Sequence, residues 1–477
     1  MALRRFVSRT RQSRRLGGTA LAVPCPSTHN KGVISMRLHS ISPRSLSGAL
    51  AGVLILGLAV GAGAPAAHAI GVKAGKWTLK FNGNVNAHYI FSHCQNLSNA
   101  ADVTGGLSCV TATKAGGGSS SVSNGLLPAA LTVSGATTQD GYDIGFTFGL
   151  YPGISTNDGG SPNLQTGAGN FGHTALGTAG LDIRQVFLTV GNKTMGTIMA
   201  GRNIGLFQSD AILNDMTLLG VGAGNGNYAA PANTSLGSIG LGYIYTDWLS
   251  QIDYTTPNLY GTKITVGIFD PLNTLGQIPV NHSTPGFQAK IAYKAGPVYL
   301  SASGLYQRQA ISCTDPALAP GACGAGTYEL KYSSTGFDIG GMYTMGPFQA
   351  MGWYYRAKGV GTTGLFVLSN DMLGVPRTSE GFIAQLTYTV GKTKFGVNYG
   401  QSRLNPTAND LSSPASVFAG TDLPTLVKKN DKWTFGVYHH LTRDLLLVGE
   451  FSRLRSTNDL NQKNTSWNIN AGLFLSF

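Results

Sequence analysis

The sequence predicts an all-β chain, closed into a transmembrane antiparallel β-barrel of about sixteen strands with short periplasmic turns and long extracellular loops. Three observations carry that expectation. Segments of about ten residues with two-residue hydrophobic alternation recur from Trp77 to the end of the chain. The connections between them alternate between short and long. Beyond Ile70, no apolar run approaches the ~20 residues that a spanning helix needs, so a membrane passage has to be made by a closed sheet with no free edge.

The first element is a leader. Residues 1–35 read as an upstream extension from a misassigned start, with translation beginning at Met36. Residues 36–69 read as a secretory signal peptide: Arg37 and Arg44 form a positive start, Ala49 to Ala62 an uncharged apolar run, and Ala67-His68-Ala69 a small-x-small cleavage site. The Arg-rich, acid-free composition would also suit a mitochondrial transit peptide; the apolar run and the cleavage site weigh against that. Residues 70–477 are then the barrel.

The first strand, "WTLKFNGNVNAHYIF", puts Trp77, Leu79, Phe81, Val85, Ala87, Tyr89 and Phe91 on one parity. Lys80, Asn82, Asn84, Asn86 and His88 fall on the other and are the expected pore-lining set, because successive strand side chains point to opposite faces. Later strands are expected near 127–137, 141–151, 181–191, 195–203, 239–256, 261–270, 285–294, 297–308, 329–343, 347–357, 380–390, 394–403, 431–440, 445–456 and 465–477. Their length suits a tilted crossing of an outer membrane, and their aromatics gather near the ends, as at membrane interfaces. "TTQDG", "KAGP", "TMGP" and "LTRD" are among the short turns; the long connections are polar and rich in Gly, Ser and Asn. The last strand, "SWNINAGLFLSF", places Leu473, Leu475 and the terminal Phe477 on one face. That terminal aromatic resembles the insertion signal by which outer-membrane barrels are recognised by the barrel-assembly machinery.

Composition narrows the function. Gly supplies 66 of 477 residues, charged residues are 12%, and mean hydropathy is +0.04, which suits neither a disordered chain nor a typical cytosolic enzyme. The net charge of +13 is concentrated at the start, since nine Lys or Arg and no acidic residue lie in 1–69. Without a basic patch interleaved with aromatics, no nucleic-acid partner is expected.

The order of these parts resembles the Gram-negative general porins, which are sixteen-stranded and trimeric. The most specific patch is "DIRQVFLTVGNKTMGTIMAGRNIGLFQSDAILNDMTLLG". It is similar to an "R-Q/L-x-F" strand, a tight turn and a "G-R-x-x-G" strand end before a long third loop. The resemblance implies that this loop, about 204–238, folds into the lumen. It also implies a pore constriction with Asp210 and Asp215 facing Arg184 and Arg202. The residues alone leave other roles open: either aspartate as a helix cap or surface charge, and the arginines as wall-bound partners of Asp182, Asp210 or Asp215. The family's "P-E-F" after "D-M" is Thr217-Leu218-Leu219 here, and a basic position of its first strand is Asn84.

The function expected is a water-filled channel for passive diffusion of ions and small hydrophilic solutes, embedded in outer-membrane lipid. A homotrimer is implied by the resemblance. The alternatives are a substrate-specific sugar or anion channel, for which Trp353 and Tyr355 offer an aromatic path, and an adhesive or structural barrel. No nucleophile–base arrangement for an enzyme is recognisable, and no cofactor is expected. Among the five cysteines, Cys94 with Cys109 and Cys313 with Cys323 are the simplest of three pairings; free thiols or metal ligands are the alternatives, and no C-x2-C pair supports a metal.

Overall fold

The computed structural model describes residues 70–97, 103–110, 114–154, 181–224, 234–274, 277–315, 318, 322–412 and 425–477. The leader lies outside them. The strands in chain order are β1 (Ile70–Ala74), β2 (Trp77–Asn96), β3 (Gly118–Ser123), β4 (Ala130–Gln139), β5 (Tyr142–Pro152), β6 (Leu181–Asn192), β7 (Gly196–Ile204), β8 (Trp248–Thr255) and β9 (Thr262–Phe269). They continue as β10 (Gly286–Ala295), β11 (Val298–Ser312), β12 (Glu329–Met345), β13 (Phe348–Lys358), β14 (Thr378–Val390), β15 (Thr393–Asn405), β16 (Val427–His440), β17 (Leu445–Asn458) and β18 (Lys463–Ser476). Two short helices, α1 (Ser209–Leu213) and α2 (Ala408–Ser412), and a 3-10 turn at Met216–Leu219 lie in the loops.

Every strand pair is antiparallel, and β18 returns to β2, so the sheet closes. On one edge of β2, β18 covers Asn84–Asn96 and β1 covers Trp77–Phe81, end to end. On the other edge β3 covers His88–His93 and β4 covers Thr78–Asn84. Each of these two composite strands counts once, so eighteen segments build sixteen wall positions. The chain end locks the seam: Phe477 and Gly83 exchange two backbone hydrogen bonds, at 2.9 and 3.0 Å.

Alternation decides the faces. On β2, Val85 and Tyr89 are more than half exposed, while Asn84, Asn86 and His88 are buried. The same pattern holds on the last strand, where Leu473, Leu475 and Phe477 point out and Asn468 and Asn470 point in. A soluble sheet would bury the apolar side; here it forms the outer surface, as a lipid-facing wall requires. Short turns close the hairpins at one rim. Asp140 and Gly141 both hold positive φ (49° and 82°), the two-residue geometry that matches strand twist.

Two details depart from the sequence reading. The short β1 and β3 were not anticipated. The sixth wall strand is β8, shorter than the expected 239–256, because 239–247 belong to the third loop instead. The described parts of that loop, 205–224 and 234–247, lie inside the barrel and pack on inward-facing wall residues. Ala211, Ile212, Leu218, Leu241 and Tyr243 meet Met351, Trp353, Ile383 and Leu454, and a second cluster joins Phe207 and Ile244 to Leu305, Tyr355 and Phe366. Each buried Ile, Leu or Phe of the loop stabilises the docked state by about 1.5–3 kcal/mol relative to exposure.

Candidate channel lumen

A loop inside a barrel hides its backbone donors from water, so the wall has to supply acceptors. It does so strand by strand. Leu206 N donates to Gln288 Oε1 on β10 (2.8 Å) and Gln208 N to Asp338 Oδ2 on β12 (2.6 Å). Met216 N donates to Gln385 Oε1 on β14 (2.9 Å) and Gly242 N to Ser402 Oγ on β15 (3.0 Å). Lys432 Nζ on β16 donates to Gly237 O (2.7 Å), and Val221 N and Gly222 N both donate to Glu450 Oε2 on β17 (2.8 Å). Gly224 N reaches Asn468 Oδ1 on β18 at 3.2 Å. The loop is thereby fastened along the β10–β18 arc. These wall anchors were missed in the sequence, although isolated Gln, Glu or Lys on the inward parity of otherwise Ser/Gly-rich strands is the signal that could have found them.

The acids expected at the constriction serve the same fastening. Asp210 accepts from Lys290 Nζ (3.2 Å) and Tyr299 OH (2.9 Å). Asp215 caps the 3-10 turn through Thr217 N (2.9 Å) and also accepts from Tyr243 OH (2.8 Å) and Asn398 Nδ2 (3.2 Å). They are only 8% and 3% exposed, and each is held by a wall side chain. Burial, and next the Asp215 charge, push the Tyr243 hydroxyl well above its ordinary pKa, so it stays a proton donor to that carboxylate.

The arginines divide. Arg184 Nε pairs with Asp182 Oδ2 at 2.7 Å, both buried, with the guanidinium over the Tyr151 and Trp248 rings. Arg202 stands opposite Val186 and Ser250, which are exposed on the outer face, whereas its neighbour Asn203 turns inward to Gln185. Two-residue alternation therefore places Arg202 on the face of the wall opposite to Asn203. Of the expected pore-lining set, Asn84, Asn86 and His88 do point inward but are covered by the 124–129 segment. Gly125 N donates to Asn86 Oδ1 (2.9 Å), and Asn86 Nδ2 donates to Leu127 O (3.0 Å). Lys80 and Asn82, nearer the short turns, remain half-exposed. Trp353 and Tyr355 lie buried under the loop and form no open aromatic path. Both local disulfides are present, Cys94–Cys109 and Cys313–Cys323.

At the short-turn end the inward side chains regain water. Lys73, Lys80, Lys263, Lys294 and Lys394 point into this vestibule, each placed there by register, and all are exposed or half-exposed. The inward Asp143 on β5 is half-buried and accepts from Thr138 Oγ1. Residues 54–459 match the family model described as Gram-negative porin. This chain is a Gram-negative porin.

Among solved structures, the porin is similar to the outer membrane channel DcaP of Acinetobacter baumannii (13% identity, TM-score 0.59, 85% of this chain and 99% of that one). It is also similar to Salmonella typhi OmpF solved with daunomycin (12% identity, TM-score 0.52, 86% and 100%). At such identities the likeness establishes the barrel fold. No curated protein matches the sequence significantly. Family and fold together make this porin a bacterial outer-membrane protein, a channel for passive diffusion of ions and small hydrophilic solutes.

Proposed function

We propose that this porin conducts small anions in preference to cations, as a homotrimer, with no catalytic step. The observation that carries the reading is the vestibule: Lys73, Lys80, Lys263 and Lys294 near open water, with Lys394 deeper over the Tyr438 ring, against one aspartate, while the loop acids Asp210 and Asp215 are already engaged. A ring of one charge sign in a low-dielectric wall raises the local concentration of the opposite ion, and with a Debye length of ~8 Å at physiological salt that bias reaches across a narrow passage. The third loop narrows the passage, and its fastened backbone keeps the width fixed. The test is the zero-current potential of single channels under a KCl gradient. Wild type should favour chloride, and Lys80→Gln/Lys263→Gln/Lys294→Gln should move the potential toward the cation side. An unchanged potential in the triple variant overturns the anion reading.

The trimer reading rests on the outer face of β4–β9, where among described residues Arg202 is the only charged outward side chain and Leu131, Phe148, Leu188, Ile252 and Val266 dominate. Mass measurement in detergent checks it. Cleavage after Ala69 and delivery through the barrel-assembly machinery, with Phe477, Leu475 and Leu473 as the presented face, complete the reading. N-terminal sequencing of the mature protein tests the first, and slower membrane assembly on deleting Phe477 tests the second.

A further inference from the structure

A second loop lies inside the barrel beside the third. The sixth loop, 359–377, runs over the inward face of β11–β13. Ser334 Oγ on β12 donates to Gly359 O, and Tyr332 OH on the same strand shares a hydrogen bond with Ser369 Oγ at 3.0 Å. Phe366 is wholly buried in one cluster with Phe207 and Ile244 of the third loop and the inward Leu305 and Tyr355 of the wall. The tip of the sixth loop joins the third through the backbone. Tyr245 N donates to Thr363 O at 2.9 Å, and Tyr245 pairs with Gly364 in a parallel bridge.

The two loops meet closely, and the sixth is held in shape. A Cβ on Gly240 of the third loop would stand 2.7 Å from both Leu107 of the first loop and Thr363 of the sixth, so three loops converge there. Phe366 and Leu368 hold positive φ (64° and 59°), a region that bulky side chains rarely occupy and that persists only where the surroundings impose it. Phe366 N donates to Val360 O (2.6 Å) and Arg377 N to Ser369 O (2.8 Å), which closes the loop on itself. Tyr245, Thr363 and Gly364 nevertheless stay half-exposed. So do the inward Phe187 and Thr189 of β6, across the lumen, whereas Trp353 and Tyr355 behind the loops are buried. The water-facing edge of the paired loops is therefore the rim Tyr245, Thr363 and Gly364, opposite β6. No charged side chain lies in 359–370.

We propose that the sixth loop is a second sieving element of this channel: its tip, 362–365, widens the shelf made by the third loop and sets the largest neutral hydrophilic solute that passes. Exclusion by size depends on the free width between edges that hold their position. A loop tip alone opens at little cost, whereas one paired through its backbone and anchored by a buried Phe366 does not. Because the tip is uncharged, it sorts solutes by size and leaves the choice of ion to the vestibule lysines. Sieving by this edge is independent of the anion preference.

The experiment follows the swelling of liposomes that carry the intact protein, in isotonic arabinose and in isotonic sucrose, and takes the sucrose-to-arabinose ratio of rates. Deleting 362–365 should raise that ratio at least twofold and leave the zero-current potential under a KCl gradient at its wild-type value. A second variant adds bulk instead of removing it. Thr363→Cys introduces a thiol into 70–477, where the four native cysteines are disulfide-bonded. After complete labelling with the neutral reagent benzyl methanethiosulfonate, verified by mass, the ratio should fall at least twofold below that of the unlabelled variant. Should the deletion fail to fold, the labelled variant decides alone. A wild-type ratio in the folded deletion variant, an unchanged ratio after full labelling, or a thiol that the reagent does not reach overturns the proposal.

Discussion

Arg377 is almost wholly buried, yet each of its three nitrogens is hydrogen-bonded. Its Nε and Nη2 grip the Asp410 carboxylate, each at 2.7 Å, and its Nη1 donates to the Leu368 and Asn370 carbonyls. This single side chain ties the sixth loop, 359–377, to α2 in the seventh. Removing one partner of a buried pair strands the other, so Arg377→Ala should cost about 3–5 kcal/mol in chemical denaturation. The pH dependence has a definite sign. Burial alone would raise the Asp410 carboxyl, but the Arg377 hydrogen bonds and charge, with Thr407, outweigh it and hold it below the usual carboxylate range. A depressed carboxylate stabilises above its unfolded value of ~3.9, and that stabilisation is lost as pH falls through the folded value. Amide protection factors in 368–377 should therefore fall only in acid, and Asp410→Asn should be weakly protected at every pH; a loss of wild-type protection confined to neutral pH would refute it. Asp215→Asn makes a contrasting case. It weakens the cap and the Tyr243 contact, so we expect a loss of about 1–3 kcal/mol with the zero-current potential unchanged.

At the scale of elements, the third loop depends on close approach as much as on hydrogen bonds. A Cβ at Gly400 on β15 would collide with the Leu241 carbonyl of the loop. Gly400→Ala should lift that stretch, costing about 1–3 kcal/mol and opening 234–247 to protease at concentrations that leave wild type intact. The Cys94–Cys109 bridge holds the first loop to the end of β2; Cys94→Ser/Cys109→Ser should lower stability by about 3 kcal/mol, read from the denaturation midpoint under oxidising conditions. The strands were legible because alternation such as Phe382, Ala384, Leu386 and Tyr388 records the two solvents residue by residue. The loop was not, since a segment docked on a wall has no period of its own. Asp210 and Asp215 read as pore acids because the sequence does not reveal that Lys290, Tyr299 and Asn398 wait opposite them. The face of Arg202 was hidden for a smaller reason: a motif match fixes position along the chain, whereas one step of register decides the face. The vestibule lysines were each visible, but only strand pairing brings Lys80, Lys263 and Lys294 to one rim.

For the molecule as a whole, the charges are arranged along the barrel axis: lysines inside at the short-turn end, arginines outside at the loop end. Conductance should therefore respond to substitution of the inside lysines and not of the outside arginines. The seam has a consequence of another kind. From β4 to β18 each strand bonds the next in the chain, so neighbours zip locally; only β2 with β18 joins beginning to end, with Asn84 set against Ser476. Uniting such remote stretches carries the largest entropic toll and comes late. A rolled but unjoined ribbon would carry two bare borders of amides and carbonyls into oil, which has nothing to offer them. Sealing and entry into the bilayer are for that reason a single act, and a half-shut tube has no resting place in the membrane.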